Sequence, residues 1–153
     1  MAKRWPNGLR SFVKKHGIRT KTIGKEKHLL FYKAVYGPLY KPWSIRHRPH
    51  GKKAPYKPGT LVRVRVMDEH RAVSCGAGLH VAPLKNAVGW VVNRSKGTWS
   101  GRADRIVEVA VRPGDIVVPL NQLGGQKIKI RCRQLLVLRK VPRSEWPLIV
   151  GRD

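Results

Sequence analysis

The run Leu29-Leu30-Phe31-Tyr32-Lys33-Ala34-Val35-Tyr36 has the aromatic and branched content of a strand buried on at least one face. Thr60-Leu61-Val62-Arg63-Val64-Arg65-Val66 alternates strictly. This predicts a strand with Val62, Val64 and Val66 toward the core and Arg63 and Arg65 on the other face. In the stretch from Pro83 to Asn93 the period changes to that of a helix. Leu84, Ala87, Val88, Val91 and Val92 form one apolar stripe, and Pro83 suits the first turn. Ile106 to Val111 reads as a strand stopped by Pro113-Gly114, and Asp115 to Val118 as a short second one. Gln126 to Val141 reads as the longest strand. Ile128, Ile130 and Cys132 lie on one side of it, Lys127, Lys129, Arg131 and Arg133 on the other, and burial on both faces begins at Leu135.

Near the start, Leu9, Phe12 and Val13 fall on one side of a short helix, with Asn7 as its N-cap and Gly17 as its stop. From Ile18 to His28 the chain is Lys-rich and nearly featureless, and reads as an extended arm. Pro and Gly then punctuate residues 37–59 too closely for any regular element to persist. The expected architecture is α+β: a mainly antiparallel sheet with one central amphipathic helix and a basic N-terminal extension. Residues 1–28 form the arm and residues 29–153 a single domain containing the long loop.

Charge changes the picture from fold to partner. The 153 residues carry 33 Lys and Arg against 8 Asp and Glu, a net charge of +25. Residues 1–67 hold 18 of the basic residues and a single acid, Glu26. A soluble domain of this size ordinarily mixes its signs to a net magnitude of about 2–8, so the excess points to a polyanion, DNA or RNA. The phosphate-binding candidates are Lys3, Arg4, Arg10, Lys14, Lys15, Arg19, Lys21 and Lys25 in the arm. In the loop they are Lys41, Arg46, Arg48, Lys52, Lys53 and Lys57. Tyr40, Trp43 and Tyr56, interleaved with the loop cations, are candidates for stacking on bases, or alternatively for stapling the loop to the core. No apolar run reaches the ~20 residues of a membrane span, and the helix stripe is too short for insertion. No secretory signal is expected. Cys75 and Cys132 cannot make a disulfide framework and suit a reducing compartment.

Candidate chemistry is sparse. His70, Cys75, His80 and Cys132 supply a His2Cys2 donor set on paper, but no Cys-x2-Cys or His-x3-His unit is present, so no metal is expected. The eight acids are too scattered for a carboxylate nuclease site, and no cofactor is expected. Phe31-Tyr32-Lys33-Ala34-Val35, Cys75-x-x-Gly78-Leu79-His80-Val81-Ala82, Val107-x-Val109-x-Val111-x-Pro113-x-Asp115 and Lys127-x-x-x-Arg131-Cys132 together resemble a poorly characterised family encoded largely by tailed bacteriophages. That resemblance implies a phage origin, in the virion or the host cytoplasm, and no particular activity. Gly78 to Ala82 with Ala87 is similar, more faintly, to the ADP-ribosyltransferases, which implies His80 in place of a nicotinamide-stacking Tyr and Glu108 in place of the catalytic Glu.

The combined expectation is a non-enzymatic nucleic-acid-binding protein that grips phosphate with little sequence preference. The first alternative is a structural virion component. In it Trp5, Leu9, Phe12 and Val13 anchor the arm on phage structural proteins, and host proteins are further possible partners. The second is a transferase, or a degenerate version of one.

Overall fold

The computed structural model describes residues 4–37, 40–42, 56–72, 78–92, 105–120 and 128–147. Its centre is β2 (Glu26–Tyr36), whose two faces are both covered. Leu29, Phe31 and Val35 enter the main core, while Tyr32 and Ala34 enter a second, smaller one. The unbroken apolar run is what two-sided burial requires, since strict alternation would leave one face wet. Antiparallel to β2 lies β6 (Arg105–Val111), paired from Leu29↔Val111 to Val35↔Arg105. Beyond it come β9 (Gln134–Lys140) and β4 (Leu61–Arg63). On the other edge β1 (Thr20–Ile23) forms a hairpin with β2, and β3 (Lys41–Pro42) folds back on the far end of β2. The order is β1-β2-β6-β9-β4.

A second sheet, β5 (Leu79–Val81), β8 (Ile130–Cys132) and β7 (Ile116–Val117), packs across the main core. Leu79, Val81, Ile130 and Cys132 meet Leu29, Phe31, Val107 and Val109 there. The two sheets are stitched by Tyr32 and Ala82, whose amides and carbonyls exchange bonds of 2.8 and 2.9 Å. Helix α2 (Leu84–Val92) lays Ala87, Val88 and Val91 on the outer face of the large sheet, against Tyr32, Ala34 and Ile106. This is the α+β class with mainly antiparallel sheets, as the apolar pattern predicts.

Four local expectations give way to tertiary structure. Gln126 to Val141 is not one strand. At Arg133 the chain passes from the small sheet to the large one, its amide bonded to the Asp115 carbonyl (2.9 Å) and its carbonyl to the Val64 amide (3.0 Å). Past that step Leu135 and Val137 are buried, while Leu136 and Leu138 are only partly covered, so burial on both faces does not follow. The alternating strand ends at Arg63, which leaves Val66 70% exposed. The chain turns away there and delivers the Asp68 and His70 carbonyls to the buried guanidinium of Arg131 (3.0 and 2.8 Å). Helix α1 (Leu9–His16) is capped by Gly8, not Asn7. Gly8 has φ +82°, which favours glycine, and a Cβ there would require the guanidinium of Arg71 to shift. Finally, the arm does not stand apart. Leu9 and Phe12 are buried in the main core, and β1 is an edge strand of the large sheet.

Candidate nucleic-acid interface

Because α1 turns its apolar stripe inward, its cations are displayed outward. Leu9 and Phe12 are buried, and Val13 and His16 are partly so, while Arg10, Lys14 and Lys15 are exposed. Burial, assisted by neighbouring Lys15, lowers the pKa of His16, so the charge of this face rests on Lys and Arg. The hairpin continues it with Lys25 in its turn and Lys27 on the same side of the sheet, both exposed, whereas Lys21, paired with His28, is exposed on the other side. Trp5 joins the two elements. The Arg10 guanidinium lies 4.7 Å and the Lys27 ammonium 5.7 Å from the ring centroid. Residues 4–28 carry eight Lys and Arg and one acid, Glu26, and that acid is turned to Arg112 (3.3 Å).

Acid pairing elsewhere follows one rule. Every ion pair between two described residues is made by an arginine. Arg112 holds Glu26 and Asp115 (3.3 and 3.7 Å), Arg133 holds Glu69 (3.3 Å), and Arg139 holds Glu108 and Glu145 (3.2 and 2.9 Å). Lys14, Lys15, Lys21, Lys25 and Lys27 enter none of them among the described residues. Planar, bidentate guanidinium suits the internal pairs, and the ammonium groups keep their charge for the surface.

The remaining sequence candidates separate by burial. Arg4 and Lys57 are exposed, and Tyr40 is partly buried with the Arg105 guanidinium 5.7 Å from its ring centroid. Lys3, Trp43, Arg46, Arg48, Lys52 and Lys53 lie outside the described residues, as does the side chain of Lys41. Arg19 is exposed but engaged. It donates to the Tyr32 hydroxyl (3.4 Å), which donates to Glu108 (2.9 Å), and that bond raises the Arg19 pKa. It therefore belongs to a balanced group of two Arg and two Glu with Arg139 and Glu145.

Tyr56 cannot stack on a base. It is 0% exposed, with Lys33 Nζ 5.0 Å from its ring centroid, which is the stapling alternative. The anchoring set of the virion reading also loses two members, since Leu9 and Phe12 are spent in this chain's own core. Trp5 and Val13 remain at the surface only in part.

The motif segments converge as well, but in the interior. Lys33 from β2 is buried and donates to the His80 carbonyl of β5 (2.8 Å), beside Tyr56 and Cys132. Burial lowers the Lys33 amine to about 8 and raises the Cys132 thiol to about 12. No part of the sequence reading singled out Lys33 as a buried group. The signal was a lone cation inside an apolar run.

His80 lies between Leu79 and Val81, both of which face the main core, so its side chain points to the outer face of the small sheet. Cys132 faces the core, and the pair therefore cannot share a metal. Cys75 is outside the described residues, and among those no group of three metal-ligating side chains occurs. Glu108 lies between Val107 and Val109 by the same logic and points to the outer face of the large sheet, bonded to Tyr32 and Arg139. Tyr32 stands between the strands of Glu108 and His80, paired with Glu108 on one side and bridged to Ala82 on the other, and the acid is engaged by Tyr32 and Arg139. No helix among the described residues is long and apolar enough to cross a membrane. No family model, curated protein or solved structure matches this chain.

Proposed function

We propose that this protein binds nucleic acid by its phosphate backbone, through the face built from α1 and the β1–β2 hairpin. One observation carries the reading. Arg10, Lys14, Lys15, Lys25 and Lys27 are displayed together on folded elements, with no described acid paired to them. Fixed cations of one sign on a rigid scaffold bind a polyanion by releasing its condensed counterions. That contribution is strong, salt-dependent and indifferent to sequence. The resemblance to a phage-encoded family makes phage or host nucleic acid the natural ligand.

The test is binding of labelled DNA and RNA across a salt series, by the native chain and by a variant with Lys14, Lys15, Lys25 and Lys27 changed to Glu. Arg19 is left intact because its reversal would disturb Tyr32 and Glu108. Each phosphate contact removed lowers the slope of log affinity against log salt by about 1, so the variant binds more weakly and with a shallower slope on unrelated sequences alike. Loss on one sequence only, or native binding that ignores salt, overturns the proposal.

A further inference from the structure

Two partly buried aromatic rings each carry an arginine, one at the basic face and one at the far end of β2 from it. Trp5 has the Arg10 guanidinium 4.7 Å from its ring centroid, and Tyr40 has that of Arg105 at 5.7 Å. Both rings pack against the main core, hence on the same side of the large sheet, and they stand at opposite ends of β2. Trp5 lies by Lys27 at its start, and Tyr40 sits in the turn that leads out of its end. At ~3.3 Å per residue the ends of this strand are about 30 Å apart.

Tyr40 is also held at a cost. Its φ of +51° is the one positive value among the described non-glycine residues. Its amide donates to the Gly37 carbonyl (3.1 Å) in the turn between β2 and β3. A glycine would occupy this position without strain, whereas a bulky ring in the left-handed region is disfavoured. The turn itself does not need the ring.

A guanidinium over an aromatic ring makes a flat, positively charged stack to which a base plane can add, and the same arginine can reach the adjoining phosphate. Bases within a duplex are already stacked and have no free face. Unpaired bases do, and stacking on protein rings is how proteins hold single strands without reading their sequence. Arg143 over Trp146 is different. That ring packs in the second core beside Glu145, and its indole N–H is tied to the Val141 carbonyl (3.2 Å). We propose that Trp5 and Tyr40 are stacking platforms for unpaired bases, and that the ligand of the basic face is single-stranded nucleic acid. This rests on the phosphate-binding reading above and narrows it.

The experiment compares a labelled single strand with the duplex of equal length, at low salt, for the full chain and for Trp5→Ala, Tyr40→Gly, Trp5→Phe and Tyr40→Phe. Tyr40→Gly relieves the backbone, so its unfolding midpoint is expected to match or exceed the native one. The native chain prefers the single strand. Trp5→Ala and Tyr40→Gly each lose about tenfold or more of that affinity while duplex affinity stays put, and the Phe variants keep it. Equal losses on both ligands overturn the proposal, because the ring would then act through the fold. Undiminished single-strand binding by both truncated variants, or a native preference for duplex, overturns stacking but leaves the phosphate reading standing. Failure of the native chain to bind either ligand overturns both.

Discussion

Lys33 is the residue whose environment differs most from what its type suggests. Its amine sits in the main core with one hydrogen bond, to the His80 carbonyl, and desolvation lowers its pKa from 10.5 to about 8. The unfolded chain therefore binds more protons than the native one between pH 8 and 10.5, and stability rises with pH over that interval. Cys132 acts in the opposite sense. Its thiol is raised from 9.0 to about 12, so above pH 9 the unfolded thiol ionises first and stability is withdrawn. Burial also raises the Tyr56 hydroxyl, which adds to the loss above pH 10. The net rise is thus confined to pH 8–9 and is on the order of 1 kcal/mol. Urea unfolding at closely spaced pH values should show this rise in the native protein and lose it in Lys33→Met, whose stability is flat to pH 9 and then falls. A variant that keeps the rise would show that another group is responsible.

At the scale of elements, α1 is the one whose role changes most between sequence and structure. Its stripe was open to two uses, docking on its own domain or on a partner, and Leu9 and Phe12 take the first. Leu9→Ala should therefore cost about 2–5 kcal/mol in urea unfolding, as for a fully buried leucine. A free arm would lose nothing measurable. Gly8→Ala should destabilise as well, by about 1 kcal/mol, since φ +82° is strained for any residue with a Cβ. Strands β2 and β6 and helix α2 were legible because their apolar residues recur at the period of the element that buries them. Strand β1, reading Thr20-Lys21-Thr22-Ile23, was not, because an edge strand with an exposed surface can be mostly polar and carry no apolar alternation. The break at Arg133 was hidden for a different reason. A step between sheets preserves local β character, and only its long-range partners, Asp115 and Val64, reveal it. The cationic residues of the interface were legible as a composition. Their assembly into one face was not, because it depends on Arg10 of α1 and Lys27 of the hairpin both meeting the Trp5 ring.

Over the whole molecule, charge is set against stability. A net charge of +25 makes the native chain repel itself, and the arginine pairs neutralise only the few acids present. Screening should therefore act in opposite directions on folding and on binding. Between about 0.01 and 1 M salt the Debye length falls from about 30 to about 3 Å, so the unfolding midpoint rises while nucleic-acid affinity collapses. Charge reversal within the basic face separates the two effects. Lys25→Glu with Lys27→Glu removes two charges per residue, taking +25 to +21. Both positions are exposed on the hairpin, so at low salt this variant should be more stable than the native chain while binding more weakly. Lys14→Glu with Lys15→Glu makes the same change in net charge, but in the last turn of α1. There a cation complements the negative end of the helix dipole, worth about 0.3–1 kcal/mol per group, so the gain in stability should be reduced or cancelled. Binding should weaken in both variants alike, because phosphate responds to the charge of the face and not to the helix beneath it. If the hairpin variant is instead less stable at low salt, its lysines serve the fold. The surplus charge would then not be held, at a cost in stability, for an external polyanion.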